Sequence, residues 1–277
     1  MFCYDPYALC FMNKDCNAKA GTNKVPLLLY IIIITAPDKY LQREAIRNSW
    51  VKTLINNNSM KYAFFIGDIG ISKLQMDAVK EEIDKFRDIV ILDDVDEVYT
   101  KLSRKVLQAF AWTYRYIDAV YYLKTDDDCF IVIDNLYATL TNGNLVTKKL
   151  IFGKIAKFYR VLRDGKWAEP NWFLCGIYLP YSLGLGYIIT QDVVNYLTGN
   201  SNRLMHYNNE DTSLGSWIAP LELEYVNEDR ILNLVYPSPC ETAIWLIHGC
   251  DPKDMIDIQS SMLNGTDICD WWYNSYY

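Results

Sequence analysis

Between Leu27 and Ile34 the chain runs through eight residues without a charge, four of them Ile. A continuous apolar run of that length, rich in β-branched side chains, predicts a strand buried on both faces of a parallel sheet. Asp38 to Leu54 follows with helical spacing, Ile46 and Trp50 falling on one face. Tyr62 to Ile66 (YAFFI) predicts a second strand, stopped by Gly67. Lys73 to Phe86 reads as a charged amphipathic helix and Ile89 to Leu92 as a third strand. Tyr99 to Tyr116 is helical, and Val120 to Leu123 makes a fourth strand.

Strand and helix patterns thus alternate from 27 to 140. That alternation predicts an α/β protein with a mostly parallel, Rossmann-like central sheet and helices on both faces. The second half has shorter, mixed elements, expected to fold against the same sheet. There is no internal repeat and no low-complexity linker. The expected organisation is an irregular stem remnant over 1–24 and one domain over 25–277.

Composition narrows the partners. Hydrophobic residues make up 51% and charged residues 22% of the 277, the balance of a globular chain. The net charge of −7 argues against nucleic acid, whose phosphates call for clustered Lys and Arg. The 22 Tyr and 8 Trp suit sugar stacking, but core packing accounts for them equally. Of the eight cysteines no two form the close couples of a zinc site, and an even count fits disulfides in an oxidising compartment. Glycosylation triplets at Asn57 and Asn264 point the same way, to a secretory lumen. No membrane anchor is visible: Leu27 to Thr35, the longest apolar run, is far short of a span of about 20 residues. It also lacks the cleavage site of a signal peptide.

Four constellations carry candidate chemistry. The fourth strand delivers Asp126, Asp127 and Asp128 to one point, where adjacent like charges raise one another's pKa unless something positive joins them. A hard divalent cation with oxygen ligands fits that need; a solvated acidic turn is the plainer reading. Arg43 and Arg47, four apart on one helical face, could clamp a diphosphate or pair with helix neighbours. Asp211, after a polar loop, suits a helix N-cap as well as a catalyst. His248 ends the apolar stretch from Ile244 and could reach a cleft as a metal ligand.

In this order the motifs resemble the β-1,3-glycosyltransferases of glycosyltransferase family 31, over about Leu27 to Asp254. Arg43-x-x-Ile46-Arg47-x-Ser49-Trp50 is similar to the family's Arg-x-x-Ile-Arg-x-Thr-Trp. Phe64-Phe65-Ile66-Gly67 looks like its Phe-x-x-Gly, and Lys124-Thr125-Asp126-Asp127-Asp128 like its Lys-x-Asp-Asp-Asp. Glu210-Asp211-Thr212 looks like its Glu-Asp-Val. The stretches Gly165–Trp167, Tyr178–Tyr187 and Glu210–Pro220 are most similar to members that build the proteoglycan linkage region. The sequence departs from the pattern at Lys101, where the family has Asn. It departs again at Leu185, a bulky side chain in place of Gly in a stretch expected to face the sugar.

The resemblance implies a GT-A-like single domain and an inverting transfer of galactose from UDP-galactose to a galactosyl-xylosyl acceptor on a proteoglycan core protein. It implies Mn²⁺ held by Asp128 and His248, with Asp126 and Asp127 at the ribose or at water-mediated metal positions. Arg43, Arg47 and Lys124 would hold the nucleotide. Asp211 would be the general base for the acceptor 3-hydroxyl. Trp217 and Tyr181 are candidates for stacking on acceptor sugars. The implied location is the Golgi lumen, through an anchor outside this sequence. Three other readings stand beside this one. The first is another sugar specificity on the same fold, such as N-acetylglucosamine transfer or a glycoprotein acceptor. The others are a non-catalytic lectin or chaperone-like relative, and a hydrolase using Asp211 with one of the triplet.

Overall fold

The unbroken apolar run is the centre of the molecule. In the computed structural model, which describes residues 26–54, 57–236 and 239–276, Leu27–Ile34 forms β1 and is paired in parallel on both sides. The expected stem over 1–24 lies outside the described residues. Along β1 the side chains alternate between two cores. Leu29, Ile31 and Ile33 enter one, Tyr30, Ile32 and Ile34 the other. Each such side chain, fully buried, contributes roughly 1.5–3 kcal/mol. This is why the sequence shows no polar alternation here: neither face of the strand meets water.

The other strands are β2 (Met60–Ile69), β3 (Ile89–Asp96), β4 (Ala119–Asp126), β5 (Cys129–Ile131), β6 (Leu150–Ala156), β7 (Tyr181–Thr190), β8 (Glu224–Asn227), β9 (Ile231–Asn233) and β10 (Leu246–His248). The helices are α1 (Tyr40–Asn48), α2 (Trp50–Leu54), α3 (Lys73–Phe86), α4 (Leu102–Tyr116), α5 (Ile133–Thr141), α6 (Gln191–Gly199), α7 (Glu210–Ile218), α8 (Pro252–Leu263) and α9 (Ile268–Tyr276). A seven-stranded sheet runs β3-β2-β1-β4-β7-β6-β8. The first four strands are mutually parallel, β7 is antiparallel to β4 and to β6, and β8 is parallel to β6. Helices α1, α2, α3, α5, α8 and α9 supply one core, and α4, α6 and α7 the other. The predicted α/β architecture, helices on both faces of a mostly parallel sheet, is what the chain forms.

From β1 the chain winds outward to β2 and β3, then returns to place β4 on the other side of β1. The carboxyl ends of β1 and β4 are therefore the topological switch point, where open α/β sheets hold their ligands. Ile34 pairs with Asp126 there. A second, three-stranded sheet, β5-β10-β9, brings His248 opposite Cys129, directly after the Asp triplet.

Two local expectations are corrected. Gly67 does not stop the second strand. A Cβ there would lie 2.3 Å from the Val95 carbonyl oxygen, so Gly67 lets β3 approach closely while β2 continues. Leu185 does not sit in a sugar-facing loop but within β7, packed against the first core. The glycine that the stretch cannot spare is Gly186, whose φ of +155° is accompanied by a Cβ position 2.5 Å from Leu246 Cδ1.

The arginine pair of α1 turns inward. Glu82 of α3 accepts from Arg43 Nε at 2.9 Å and Nη2 at 2.7 Å, and from Arg47 Nη1 at 2.7 Å. Asp88 accepts from Arg47 Nε and Nη2, both at 2.8 Å, and from the Tyr62 hydroxyl at 2.9 Å. Burial raises the Glu82 pKa, but its two arginines outweigh that and leave it below the ordinary range. Removing one member strands buried charge. Glu82→Ala is expected to cost roughly 3–5 kcal/mol. The check is a fall in the urea midpoint at unchanged m-value.

Candidate active site

The Asp triplet sits where β4 leaves the sheet, and each carboxylate has a different partner. Asp126 pairs with Lys124 Nζ at 2.9 Å. Asp127 accepts from the Thr35 hydroxyl at 2.6 Å. Asp128 Oδ2 stands 3.7 Å from His248 Nε2, and its backbone oxygen accepts from Gly249 N at 3.0 Å and Cys250 N at 2.8 Å. The pairing of the small-sheet strands thereby clamps Asp128 from behind. Burial lifts Asp127 to about 6, with Asp126 and Asp128 adding to the rise and the Thr35 hydrogen bond opposing it. Asp128 is also raised, by burial first, although His248 pulls it down.

The tautomer of His248 follows from its neighbour. His248 Nδ1 lies 3.3 Å from Asn233 Oδ1, and that oxygen already accepts from Val235 N at 3.0 Å. The Asn oxygen is thus the acceptor and Nδ1 the donor, and Nε2 is the ring nitrogen that faces Asp128. An imidazole whose far N–H is held and whose near nitrogen faces a carboxylate has the arrangement of a metal ligand. Among the described residues no group of three or more His, Cys, Asp or Glu could hold a metal alone. A divalent cation held by Asp128 and His248 would need its remaining ligands from water or substrate oxygens.

Lys124 is the hinge of the site. It is 1% exposed, yet its ammonium reaches Asp126 at 2.9 Å, Glu210 Oε2 at 3.3 Å and the Gly184 carbonyl at 3.3 Å. Burial lowers its pKa, but the two carboxylates outweigh burial and keep it charged. The Tyr187 hydroxyl donates to the other oxygen of Glu210. Through Glu210, Lys124 fixes the first turn of α7, and Asp211 follows at once in that turn. Asp211 Oδ2 lies 3.8 Å from the position of a Cβ on Gly184, so it faces the β7 strand beside Lys124. Burial first, and Glu210 next, lift Asp211 to about 7, against Lys124 and the Thr212 N–H at 3.0 Å, which lower it.

Several expected roles change. Asp211 is not the N-cap of α7; Asn209 holds that place, its side chain donating to the Trp167 carbonyl at 2.9 Å. Arg43 and Arg47 do not form a diphosphate clamp, since burial and the pairing with Glu82 and Asp88 consume their guanidinium groups. Lys124 likewise faces Asp126 and Glu210 from within the core. Trp217 is buried with its Nε1 on the Met205 carbonyl at 2.6 Å, and Tyr181 is buried against Tyr178, so neither offers a free face. Tyr99 and Trp167 are exposed instead, at 47% and 41%. Trp167 belongs to a loop pinned to the α7 entry. Asn208 Nδ2 donates to the Ala168 carbonyl at 2.9 Å, and the buried Glu169 carboxylate takes the N–H groups of Asn208 and Asn209. Lys166 Nζ lies 5.1 Å from the Tyr99 ring centre and 5.5 Å from that of Trp167. Thr35, Asn233 and Glu169 were not among the expected site residues, and Glu210 stood in a motif without a role, because the partners Asp127, His248, Asn208 and Asn209, and Lys124 lie far from them in sequence.

A Rossmann-like sheet with an Asp triplet at its switch point, and another carboxylate brought beside it by the following half, is a GT-A-like fold. Comparison with known proteins agrees. Residues 41–229 match the model of the galactosyltransferase family. The chain is 28% identical over 253 residues to the mouse beta-1,3-galactosyltransferase 6, covering 90% of this chain and 78% of that one. It is 30% identical over 256 residues to an Arabidopsis thaliana protein named as a probable beta-1,3-galactosyltransferase 12, covering 88% and 67%. Over 143 residues it is 36% identical to the Xenopus tropicalis UDP-GalNAc:beta-1,3-N-acetylgalactosaminyltransferase 2, of whose length it spans 29%. The chain belongs to the galactosyltransferase family. Membership makes it a glycosyltransferase, with a nucleotide-sugar donor and a glycan acceptor as substrates.

The raised Asp211 has a thermodynamic signature. Its folded value of about 7 lies above the unfolded value of about 3.9. Between those values the folded chain keeps a proton that the unfolded chain has released. The stability contributed by protonated Asp211 is complete below about pH 4 and is lost as pH rises through about 7. Relative to Asp211→Asn, the wild type therefore loses thermal stability across that window and no further above it. Melting curves of both proteins from pH 4 to 9 check this; a constant gap would contradict it.

Proposed function

We propose that the chain is an inverting β-1,3-galactosyltransferase that moves galactose from UDP-galactose to the galactosyl-xylosyl end of a proteoglycan linker, in the Golgi lumen. The observation that carries this reading is the division of labour among carboxylates. Asp126, Asp127 and Asp128 gather at the strand end, whereas Asp211 stands apart in α7 with a proton affinity near neutrality. A general base works best with a pKa close to the operating pH.

Asp128 and His248 would hold Mn²⁺, and Asp127 and Asp126 would face the nucleotide. When bound, the metal supplies Lewis-acid neutralisation of the departing diphosphate. The triplet, Glu210 and Asp211 together outnumber the ammonium of Lys124 that pairs among them, and this shortage of positive charge suits a cation-bound donor. Asp211 takes the proton from the acceptor 3-hydroxyl as that oxygen attacks the anomeric carbon. One displacement inverts the α-linked donor to a β-linked product, with no covalent intermediate. Tyr99 and Trp167 form the acceptor wall, presenting aromatic faces to sugar rings in place of the buried Trp217 and Tyr181. The lectin-like reading is disfavoured by the intact base and triplet. N-acetylgalactosamine is a second donor to test, given the name of the Xenopus relative.

The test is UDP release from a panel of UDP-sugars, with and without a galactosyl-β-1,4-xyloside, in Mn²⁺ and in EDTA. Release that needs UDP-galactose, acceptor and metal supports the reading. In that assay Asp211→Asn is expected to lower kcat by about 10²-fold or more. Release from UDP-N-acetylgalactosamine alone would reassign the donor, and no release from any sugar would favour a non-catalytic relative. Trp167→Ala is expected to raise the acceptor KM by about tenfold, the scale of one lost aromatic contact, with the donor KM within about twofold.

A further inference from the structure

The motif that resembles a nucleotide clamp serves the Asp triplet from beneath. Thr35 is the residue after β1, it is 4% exposed, and the switch point sets it beside the end of β4. Its hydroxyl donates to Asp127 Oδ2 at 2.6 Å and lies 3.2 Å from Arg43 Nη1. A hydroxyl has one proton and two lone pairs, whereas a guanidinium can only donate. Arg43 therefore occupies a lone pair of Thr35 and cannot receive its proton, so that proton is directed to Asp127. Arg43 has no freedom to turn away. Its Nε and Nη2 are taken by Glu82, and Nη1 and Nη2 also donate to the carbonyls of Ala36 and Pro37. The same motif also reaches the residue after the triplet, through Trp50 Nε1 on the Cys129 carbonyl at 3.2 Å.

We propose that Thr35, with its hydroxyl oriented by Arg43, is a positioning residue that fixes the rotation of the Asp127 carboxylate. Oδ2 is engaged toward β1, and Oδ1, without a hydrogen-bond partner among the described residues, is kept as the acceptor offered to the sugar nucleotide. The inference rests on the sugar-nucleotide reading of this site. It moves Arg43 from ligand contact to the support of an aspartate, with Thr35 as the link.

The variants are Thr35→Val, which keeps the shape and removes the hydroxyl, and Thr35→Ser, which restores it. They are made in the full chain. Calorimetric titration with UDP in Mn²⁺ and melting curves are measured beside donor and acceptor KM. The expected result is a loss of about tenfold in UDP affinity for Thr35→Val, matched by the donor KM, with acceptor KM and melting temperature near wild type and Thr35→Ser restored. Thr35→Ala repeats the comparison if the Val variant does not fold. Wild-type affinity in Thr35→Val would overturn the proposal, as would a Thr35→Ser variant as impaired as Thr35→Val. A wild-type chain that binds no UDP would overturn the parent reading and this inference with it. A wild type that binds UDP but shows no effect at position 35 would remove this inference alone.

Discussion

A buried ammonium holds the site together. Lys124 lies inside a sheet whose two faces are both covered, and a charge in that position requires partners. Asp126 and Glu210 meet the requirement from two directions, one from the end of Lys124's own strand and one from α7. Because the cost of an unpaired charge there is high, the first turn of α7 has little choice of location. Asp211 is then placed by its neighbour in sequence. The proximity of the triplet and the proposed base is thus a consequence of charge compensation, not of any attraction between them.

The same logic operates one layer down. Arg43, Arg47, Glu82 and Asp88 form a neutral buried cluster that binds α1 to α3 and to the start of β3. Its upper edge is Thr35, and its aromatic lining is Phe64 and Phe86, 4.9 and 4.1 Å from the Arg47 guanidinium carbon. A rigid polar floor of this kind gives the strand ends fixed positions. On the opposite side His248 is less constrained, held through Asn233 and short strands. The disulfide Cys240–Cys269 ties the segment before β10 to α9, closing a loop that carries His248. Cross-linking of that loop restricts its unfolded freedom and steadies a side chain that a three-residue strand alone would hold weakly.

Legibility followed range. The strands and α3 were readable because periodicity is a local property, and β1 and α3 match the expected spans residue for residue. Asp38 to Leu54 read as one helix but breaks at Ser49, which is buried and departs from helical geometry. Gly67 read as a stop because a glycine's punctuation is visible in sequence and the backbone that approaches it is not. Arg43 and Arg47 read as ligand contacts because arginine chemistry allows either partner. Only the packing of α3 across α1 supplies Glu82. Trp217 and Tyr181 suffered the same ambiguity, resolved by burial.

The sequence by itself determined the α/β class, the position of the Asp triplet at a strand end, and the candidacy of Asp211 and His248. The single elements follow from residue type and from patterns spanning fewer than about twenty residues, where chain geometry leaves few options, and the class follows from their alternation along the chain. Only the tertiary structure decided which charges face each other. It gave Lys124 to Asp126 and Glu210, the arginines to Glu82 and Asp88, Asn233 to His248, and Thr35 to Asp127. Such partners lie within a few ångströms in space, yet Thr35 and Asp127 are 92 positions apart in sequence. Pattern along the chain carries no information about such pairs until the strands are ordered in the sheet.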